Sequence, residues 1–460
     1  MKETSQALAR VFALCYLSAM RPLESLTLEA IVSLLSATFH RVPDPRHPDR
    51  VSFLLHDTLL SGFACMFFQH RSLLEFQRRM KERRGRCNLE TLFGVRQVPS
   101  DSQMRQILDP LATEPLRQLL PLLFEKLRRA GWAKQFKTEL ATSQDQSDYY
   151  SVALDGTQYF HSTQLECPSC LIKRDVSGQA HYSHCVVAAT LVKAGSRKVL
   201  PLDVEQVQNS DGQGKQDCEL NAAKRLIKRL RGEHRQMPII ITGDDLYSHE
   251  PFVELLASQR FHYVLVAKPE SHKEMFEWVE EIERMGESQR GQWQEGSACK
   301  RRFYEYRIVK PVPLTATRQV EVEFVEVWER DRQGKLRYHN SWITDLEVDN
   351  DNIAEIVRVG RSRWKIENEQ FNVQKNGGYE LEHNYGHGKE NLSQVFYLLN
   401  LVAYVTHIIL EMGDRLYQRS RQRASLRELW GDLRSLMKTR LVESWQQMLR
   451  INLDEEAASP

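Results

Sequence analysis

Three acidic residues lie where a metal-dependent phosphoryl-transfer enzyme needs carboxylates. Asp155 directly follows the apolar segment 152–154, and Asp244 follows the apolar segment 239–242 after one glycine. Both segments predict buried strands, and open α/β sheets place their sites at the carboxyl ends of strands. Glu367 lies in a predicted helix near the middle of the C-terminal third. Carboxylate oxygens are hard ligands that suit Mg²⁺ or Mn²⁺, and two such ions can activate an attacking oxygen and stabilise a leaving oxygen.

Taken singly, each aspartate would also suit an ordinary turn, so the inference depends on the set of three. Asp245 competes with Asp244 for the second position. Two cations near Glu367 are candidates for binding DNA phosphate. Arg363 precedes Glu367 by four residues, and Lys375 follows it by eight, just over two helical turns. An ordinary ion pair between Arg363 and Glu367 is the alternative.

The long connection between the first two predicted strands contains a cysteine pair with metal-ligand spacing. Cys167 and Cys170 are separated by two residues, and His184 follows fourteen residues later. Thiolate and imidazole ligands suit tetrahedral Zn²⁺, which would hold this connection in place. The fourth ligand stays open among three residues: His181, Cys185 and Cys218. Reduced thiols beside incidental histidines are the alternative, and two later histidines are interpreted as part of a polar turn: His383 and His387.

The predicted helix 217–231 carries a basic face that could contact DNA phosphates. Four of its residues are the candidates: Lys224, Arg225, Lys228 and Arg229. Such contacts supply sequence-independent affinity for DNA. A solvated helix face is the alternative. Because 63 Lys and Arg balance 61 Asp and Glu, the formal charge is only +2, and a DNA surface must come from local segregation of charge.

The hydrophobic periodicity predicts an α/β protein of the α+β kind, with a mixed sheet that carries helices on both faces. The first region is helical and includes a short helix at 100–108 that begins after Ser100. Five regions follow from the pattern: helical 1–145, strands and helices in 149–289, an all-β insertion at 290–345, helical 346–410, and a helical C-terminal region 411–460.

Several classes of protein lack support. A hydrophobic content of 41% excludes a disordered chain, and no Walker loop or G-x-S-x-G motif is present. The most apolar window, 395–410, is shorter than the roughly 20 residues of a membrane span, so it predicts a buried helix. With no secretion signal and only eight cysteines, we expect a cytoplasmic protein that does not bind membranes.

The residues around the three acids resemble the DDE transposases of bacterial insertion sequences, and are most similar to the insertion-sequence-four superfamily. The resemblance is carried by Asp155, by Gly-Asp-Asp-Leu-Tyr around Asp244 and by the run from Arg363 to Lys375. It covers about 149 to 410. It implies a ribonuclease-H-like catalytic core in 149–289 and 346–410, a β-rich insertion between them, and a DNA-binding role for 1–145.

The resemblance also implies that Asp155, Asp244 and Glu367 form the metal-binding triad. Asp244 is preferred to Asp245 because it gives the spacing Asp-x-Leu-Tyr that is common in the group. The family's signature around the glutamate is Tyr, two residues, Arg, three residues, Glu, six residues and Lys. Arg363 and Glu367 match this signature. Two positions depart from it: Gly360 stands at the Tyr position, and Gln374 at the Lys position, one residue before Lys375.

These features predict a transposase that cleaves the ends of an insertion sequence and joins them to target DNA by cut-and-paste. We expect two Mg²⁺ or Mn²⁺ ions, a structural Zn²⁺, and terminal inverted repeats and target DNA as partners. A homodimer on DNA is expected because two ends must be cut and joined in concert, in the nucleoid of the cytoplasm. Two alternatives stay open: a catalytically inactive DNA-binding or regulatory protein derived from a transposase, and a nuclease without strand transfer.

Overall fold

A computed structural model describes residues 26–141, 146–209, 215–297, 300–317, 319–383 and 385–454 of the chain. The N-terminal stretch on which the expectation of no secretion signal depends lies outside these residues. The chain divides into two compact units. The helical unit comprises three segments: Met1–Gln135, Gln158–His184 and Asn372–Pro460. The sheet unit comprises the two remaining segments: Phe136–Thr157 and Cys185–Phe371.

The α-helices of the described ranges are α1 Leu28–Phe39, α2 Leu55–Phe67, α3 Leu73–Lys81, α4 Arg83–Phe93, α5 Asp101–Leu108, α6 Glu114–Arg117, α7 Leu119–Arg129, α8 Lys215–Glu233, α9 Glu250–Ser258, α10 Lys273–Arg284, α11 Ile353–Ser362, α12 Asn372–Asn376, α13 Leu392–Gly413, α14 Arg415–Arg423, α15 Leu426–Thr439 and α16 Trp445–Asn452. A π-helical segment, Ile366–Phe371, lies between α11 and α12.

The strands of the same ranges are β1 Lys137–Ala141, β2 Gln146–Ser162, β3 Leu171–Arg174, β4 Ala180–Val192, β5 Leu200–Gln206, β6 Ile239–Gly243, β7 His262–Val266, β8 Gln289–Glu295, β9 Arg302–Pro313, β10 Glu321–Arg330 and β11 Leu336–Thr344. Helices therefore dominate both ends of the chain, and strands dominate its middle, as the periodicity predicted.

The helical unit is built around α13, which packs against α2. Every residue of 395–410 is buried, so the predicted buried helix is confirmed. By length and composition α13 could cross a membrane, but 94% of its apolar window is buried within the fold, as in the core helix of a soluble protein. The predicted helix at 100–108 is also confirmed as α5. Its first turn is closed by a reciprocal capping box between Ser100 and Gln103.

The sheet unit contains the mixed sheet that the sequence predicted. Its strand order is β4-β2-β6-β7-β11-β10-β9-β8, with β5 beside β4 and β1 beside β2. The pairs β2–β6 and β6–β7 are parallel, whereas β4–β5 is antiparallel. Parallel strands are buried on both faces and so read as continuous apolar runs, which is the pattern of Ile239–Ile241.

The all-β block at 290–345 forms four antiparallel strands, β8 to β11. Strand β11 pairs with β7, with Trp342 opposite Val266, so the block continues the central sheet edge to edge. Trp342 is fully buried in a core that also includes Ile308 and Val325 from the neighbouring strands. The predicted β content is confirmed, and the sheet continues through the block without a break.

Candidate active site

Asp155 and Asp244 lie side by side where the parallel pairing of β2 with β6 ends. Asp244 directly follows β6, whereas Asp155 lies within β2, which continues to Ser162, so the expectation that Asp155 ends its strand is wrong. β2 pairs with β6 up to Ala153 and Thr242, an offset of 89 residues (242 − 153). The same offset joins Asp155 to Asp244, whose backbone is still extended at φ −82° and ψ −175°. Neighbouring strands are about 4.8 Å apart. The two carboxyl groups therefore leave the sheet at the same level and on the same face.

A third carboxyl group, that of Glu219 near the amino end of α8, lies beside this pair. A Cβ added to Gly156 would lie only 2.7 Å from the carboxyl carbon of Glu219, so the glycine permits the close approach. The hydroxyl of Tyr247 donates a hydrogen bond to Glu219 Oε1 at 3.0 Å. Tyr247 is itself fully buried, and its ring occupies the space in front of Gly243. Sequence analysis missed Glu219 because it lies on a helix identified only by its basic residues.

The three carboxyl groups create an excess of negative charge around Asp155. Burial raises the pKa of Asp155 from 3.8 to about 7; the Arg363 guanidinium lowers this pKa, and the charges of Asp244 and Glu219 raise it further. Burial and the same acids hold the pKa of Tyr247 well above its ordinary value. A bound divalent cation would relieve this repulsion. The chemistry of these oxygen donors therefore fits Mg²⁺ or Mn²⁺.

Asp245 has a different role from Asp244. Its carboxylate accepts a hydrogen bond from the backbone N–H of Lys268 at 2.7 Å and another from the hydroxyl of Ser271. It also lies 3.6 Å from the imidazole of His272. These contacts fix the loop that follows β7. Asp245 is thus committed to local structure, which supports the choice of Asp244.

The structure does not bring Glu367 into contact with the two aspartates. Among the described residues, the side chain of Glu367 makes no hydrogen bond or ion pair, and Arg363 is not its partner. In the described part of the chain, neither Glu367 nor Glu219 forms a single ligand group within 4.8 Å with both Asp155 and Asp244. Glu367 lies in a helical segment, as predicted, but α11 ends at Ser362 and the segment around Glu367 is π-helical.

Arg363, which was predicted to bind DNA phosphate, is directed at the acidic residues. Its Nη1 lies 3.6 Å from Asp155 Oδ2, and the residue is buried. Its guanidinium also lies 4.4 Å from the ring of Trp364, which is 47% exposed. The buried Nε of Arg363 has no hydrogen-bond partner among the residues that the structure describes. Arg363 therefore offsets part of the acidic charge and keeps one donor unused.

Both departures from the family signature have a physical reason. A Cβ at Gly360 would lie 2.5 Å from the indole nitrogen of buried Trp342, so the space of the expected tyrosine is taken. Gln374 is fully buried, where a lysine would leave an unpaired charge. Lys375, one residue later, reaches solvent and forms an ion pair with Glu382 at 2.9 Å. Its predicted contact with DNA stays a prediction.

Two of the four predicted phosphate ligands on α8 have internal partners instead. Arg225 Nε lies 2.7 Å from Glu205 on β5, and Arg229 Nε lies 2.7 Å from the fully buried Asp203 of the same strand. These arginines hold the helix against the sheet, and their predicted contact with DNA stays a prediction. Two lysines on the helix stay candidates: Lys224, which is half-buried, and Lys228, which is exposed.

A separate cluster of thiols and imidazoles lies in the helical unit. Ligand atoms of Cys167, Cys170, His184 and His387 all lie within 4.8 Å of one another. None of the three residues expected to supply a fourth ligand belongs to this cluster: His181, Cys185 and Cys218. Burial lowers the pKa of His184 to about 4, so its imidazole is neutral at pH 7, as a metal ligand must be. His387, interpreted from the sequence as part of a polar turn, takes the fourth position.

Comparisons with known proteins leave the family open. A scan with protein-family models gives no match to this sequence, and a search of curated proteins finds no similar one. The function is therefore inferred from the chemistry of the acidic residues, from the strand order that positions them and from the resemblance of the surrounding motifs.

Proposed function

We propose that this protein is a DDE transposase that cleaves the ends of an insertion sequence and transfers them into target DNA. The observation that carries the proposal is the shared register of Asp155 and Asp244 at the point where the parallel pairing of β2 with β6 ends. The strand order β5-β4-β2-β6-β7 is compatible with the ribonuclease-H-like core that the resemblance implies. The raised pKa of Asp155, caused first by burial and then by the neighbouring acids, supports a cation site at this position.

The carboxylates of Asp155 and Asp244 would hold the divalent cations at the edge of the sheet. Bound there, the cations would lower the pKa of the attacking water and offset charge on the leaving oxygen. Arg363 would keep its guanidinium at the same edge, where the DNA backbone has to approach. Glu219 and Glu367 compete as the third acidic ligand. Glu219 lies near enough to raise the pKa of Asp155, and Glu367 has the match to the signature that the resemblance implies.

A transposase must hold two DNA ends together, so the proposal includes a homodimer assembled on the terminal inverted repeats and target DNA. The phosphate contacts would come from Arg363 beside the acids, from the lysines of α8 and from Lys375. We place the protein in the nucleoid of the cytoplasm, where its DNA substrate lies.

The test is cleavage and joining of a duplex that carries the terminal repeat found beside the gene, with Mg²⁺ present. Asp155→Asn and Asp244→Asn should each lower the rates of nicking and joining by at least about 100-fold, because each removes a charged ligand from the reacting centre. Glu321→Gln on β10 is the matched control, because it removes an exposed carboxylate from the same sheet. Wild-type rates in both aspartate variants would overturn the proposal.

The same experiment separates the alternatives. Nicking without joining would identify a nuclease, and DNA binding without any cleavage by the wild type would identify an inactive regulatory protein. Glu219→Gln and Glu367→Gln then assign the third ligand: the variant that loses activity marks the glutamate that serves in the site.

A further inference from the structure

We propose that Cys167, Cys170, His184 and His387 form a closed, structural Zn²⁺ site in the helical unit. The four side chains come from three distant parts of the sequence: the turn before β3, strand β4 and the loop before α13. This inference is independent of the proposed transposase function, because none of the four residues belongs to the carboxylate site.

Five of the six distances between the donor atoms are close to those of a tetrahedron around one zinc ion, and the sixth, between Cys167 and His387, is within 4.8 Å. With Zn–S of about 2.3 Å and Zn–N of about 2.0–2.1 Å, two sulfurs lie about 3.8 Å apart, sulfur and nitrogen about 3.6 Å, and two nitrogens about 3.4 Å. The two sulfurs are 3.7 Å apart, and the imidazole Nε2 atoms of His184 and His387 are 3.2 Å apart. His184 Nε2 lies 3.5 Å from each sulfur, and His387 Nε2 lies 3.3 Å from Cys170 Sγ.

All five distances thus agree with a common zinc centre to within about 0.3 Å. Hydrogen bonding offers a weaker explanation for this arrangement. Hydrogen bonds are directional and join donors to acceptors in pairs. They give no reason for two thiols and two imidazole nitrogens to surround one point, whereas a metal ion requires it.

The site is closed, which indicates a structural ion. Cys170, His184 and His387 are 0%, 3% and 5% exposed. Four protein ligands leave no open position for water or substrate, unlike catalytic zinc sites, which keep one. Soft thiolates with imidazoles select zinc over the hard cations that suit Asp155 and Asp244.

Groups around the ligands orient them for metal binding. The Nδ1 of His387 lies 3.0 Å from the carbonyl oxygen of Gly388, so Nδ1–H donates to that carbonyl and leaves the Nε2 lone pair facing the cluster. The ring of Phe160 stacks on His387 with centroids 4.3 Å apart. The backbone N–H of Cys170 donates to the carbonyl of Cys167 at 3.1 Å, which closes the turn that carries both thiols.

The loop that carries His387 is held from its other side by Asp109. The carboxylate of Asp109 accepts hydrogen bonds from four consecutive backbone N–H groups, those of residues 389–392, where α13 begins. Zinc at His387 would therefore connect the cysteine turn and β4 to the start of the central helix of this unit. Loss of the metal should loosen that helix's amino end.

The test is metal analysis of the full chain purified without chelator. We expect one tightly bound zinc per chain, and a cobalt-substituted form with the visible bands of tetrahedral cobalt and a sulfur-to-metal charge-transfer band. X-ray absorption on the wild-type protein should give two sulfur and two nitrogen neighbours. No bound metal, or a shell of oxygen and nitrogen alone, would overturn the proposal, and this measurement needs no variant.

Variants then identify the ligands. His387→Ala and Cys170→Ser should each lower zinc affinity, measured by competition with a coloured chelator, by at least about 100-fold, more than loss of an outer-sphere partner costs. Three matched controls remove nearby residues of the same types: His181→Ala, His383→Ala and Cys185→Ser. The controls should keep wild-type affinity. Unchanged affinity in His387→Ala together with loss in His181→Ala would refute the assignment of the fourth ligand.

Discussion

Replacing Asp155 by asparagine should make the metal-free protein more stable at pH 8, although the residue is central to the proposed site. Asparagine has nearly the shape of a protonated aspartate but cannot ionise. In the folded protein, burial and the neighbouring acids raise the pKa of Asp155 from 3.8 to about 7. Ionising this residue therefore costs more free energy in the folded chain than in the unfolded one.

The sign and the size of the effect follow from proton linkage. Between pH 3.8 and about 7, the folded protein keeps a proton that the unfolded chain has released, so the free energy of unfolding falls as pH rises through this window. The gap is worth at most about 4 kcal/mol, at about 1.4 kcal/mol per pH unit. Because the side chain is 20% exposed, we expect about 2 kcal/mol in practice.

The assay is thermal unfolding from pH 4 to pH 8 in buffer without Mg²⁺ or Mn²⁺. The melting temperature of Asp155→Asn should match that of the wild type near pH 4 and exceed it by several degrees at pH 8. Added Mg²⁺ should then raise the melting temperature of the wild type more than that of the variant. Glu321→Gln should show no such pH dependence. A variant less stable than the wild type at pH 8, or a difference independent of pH, would refute the reasoning.

Three further predictions follow from contacts in the two units. Asp109→Ala should lower the free energy of unfolding by about 2–3 kcal/mol, because four backbone N–H groups lose a charged acceptor; an equal melting temperature would contradict this. Gly360→Tyr should destabilise the sheet unit by at least about 3 kcal/mol, because Trp342 fills the space that the tyrosine side chain would need. A variant with the free energy of unfolding of the wild type would contradict this prediction. Arg229→Ala should cost about 3 kcal/mol, because it removes the cation beside the buried carboxylate of Asp203. Lys228→Ala should instead weaken DNA binding and reduce its salt slope by about 1; reversal of these two effects in melting and binding assays would contradict the assignment.

The two aspartates could be predicted from the sequence because the local patterns before them are strong, although β2 continues past Asp155 to Ser162. Apolar runs before Asp155 and Asp244 signal buried strands, and the carboxyl ends of parallel strands lie at one edge of a sheet. The register that sets the two residues side by side needed the structure. The same local pattern predicted the buried helix α13, since a long apolar run with no charged residue has to pack inside a core.

The parts that sequence analysis missed depend on contacts between distant residues. His387 lies 203 residues after His184, so no spacing rule connects them. Glu219 lies near the amino end of α8, a helix that was interpreted only from its basic residues, so its place beside Asp155 was not predicted. The π-helical turn at Glu367 and the indole of Trp342 against Gly360 are packing effects that periodicity does not report.

Binding of Mn²⁺, followed by its electron paramagnetic resonance spectrum, tests the central claim most directly. The zinc ligands are not involved, and no DNA substrate is needed. We predict that the wild-type protein binds Mn²⁺ with increasing affinity from pH 6 to pH 8, as Asp155 loses its proton, and that Asp155→Asn and Asp244→Asn each lose this binding. Wild-type Mn²⁺ affinity in both variants would contradict the account.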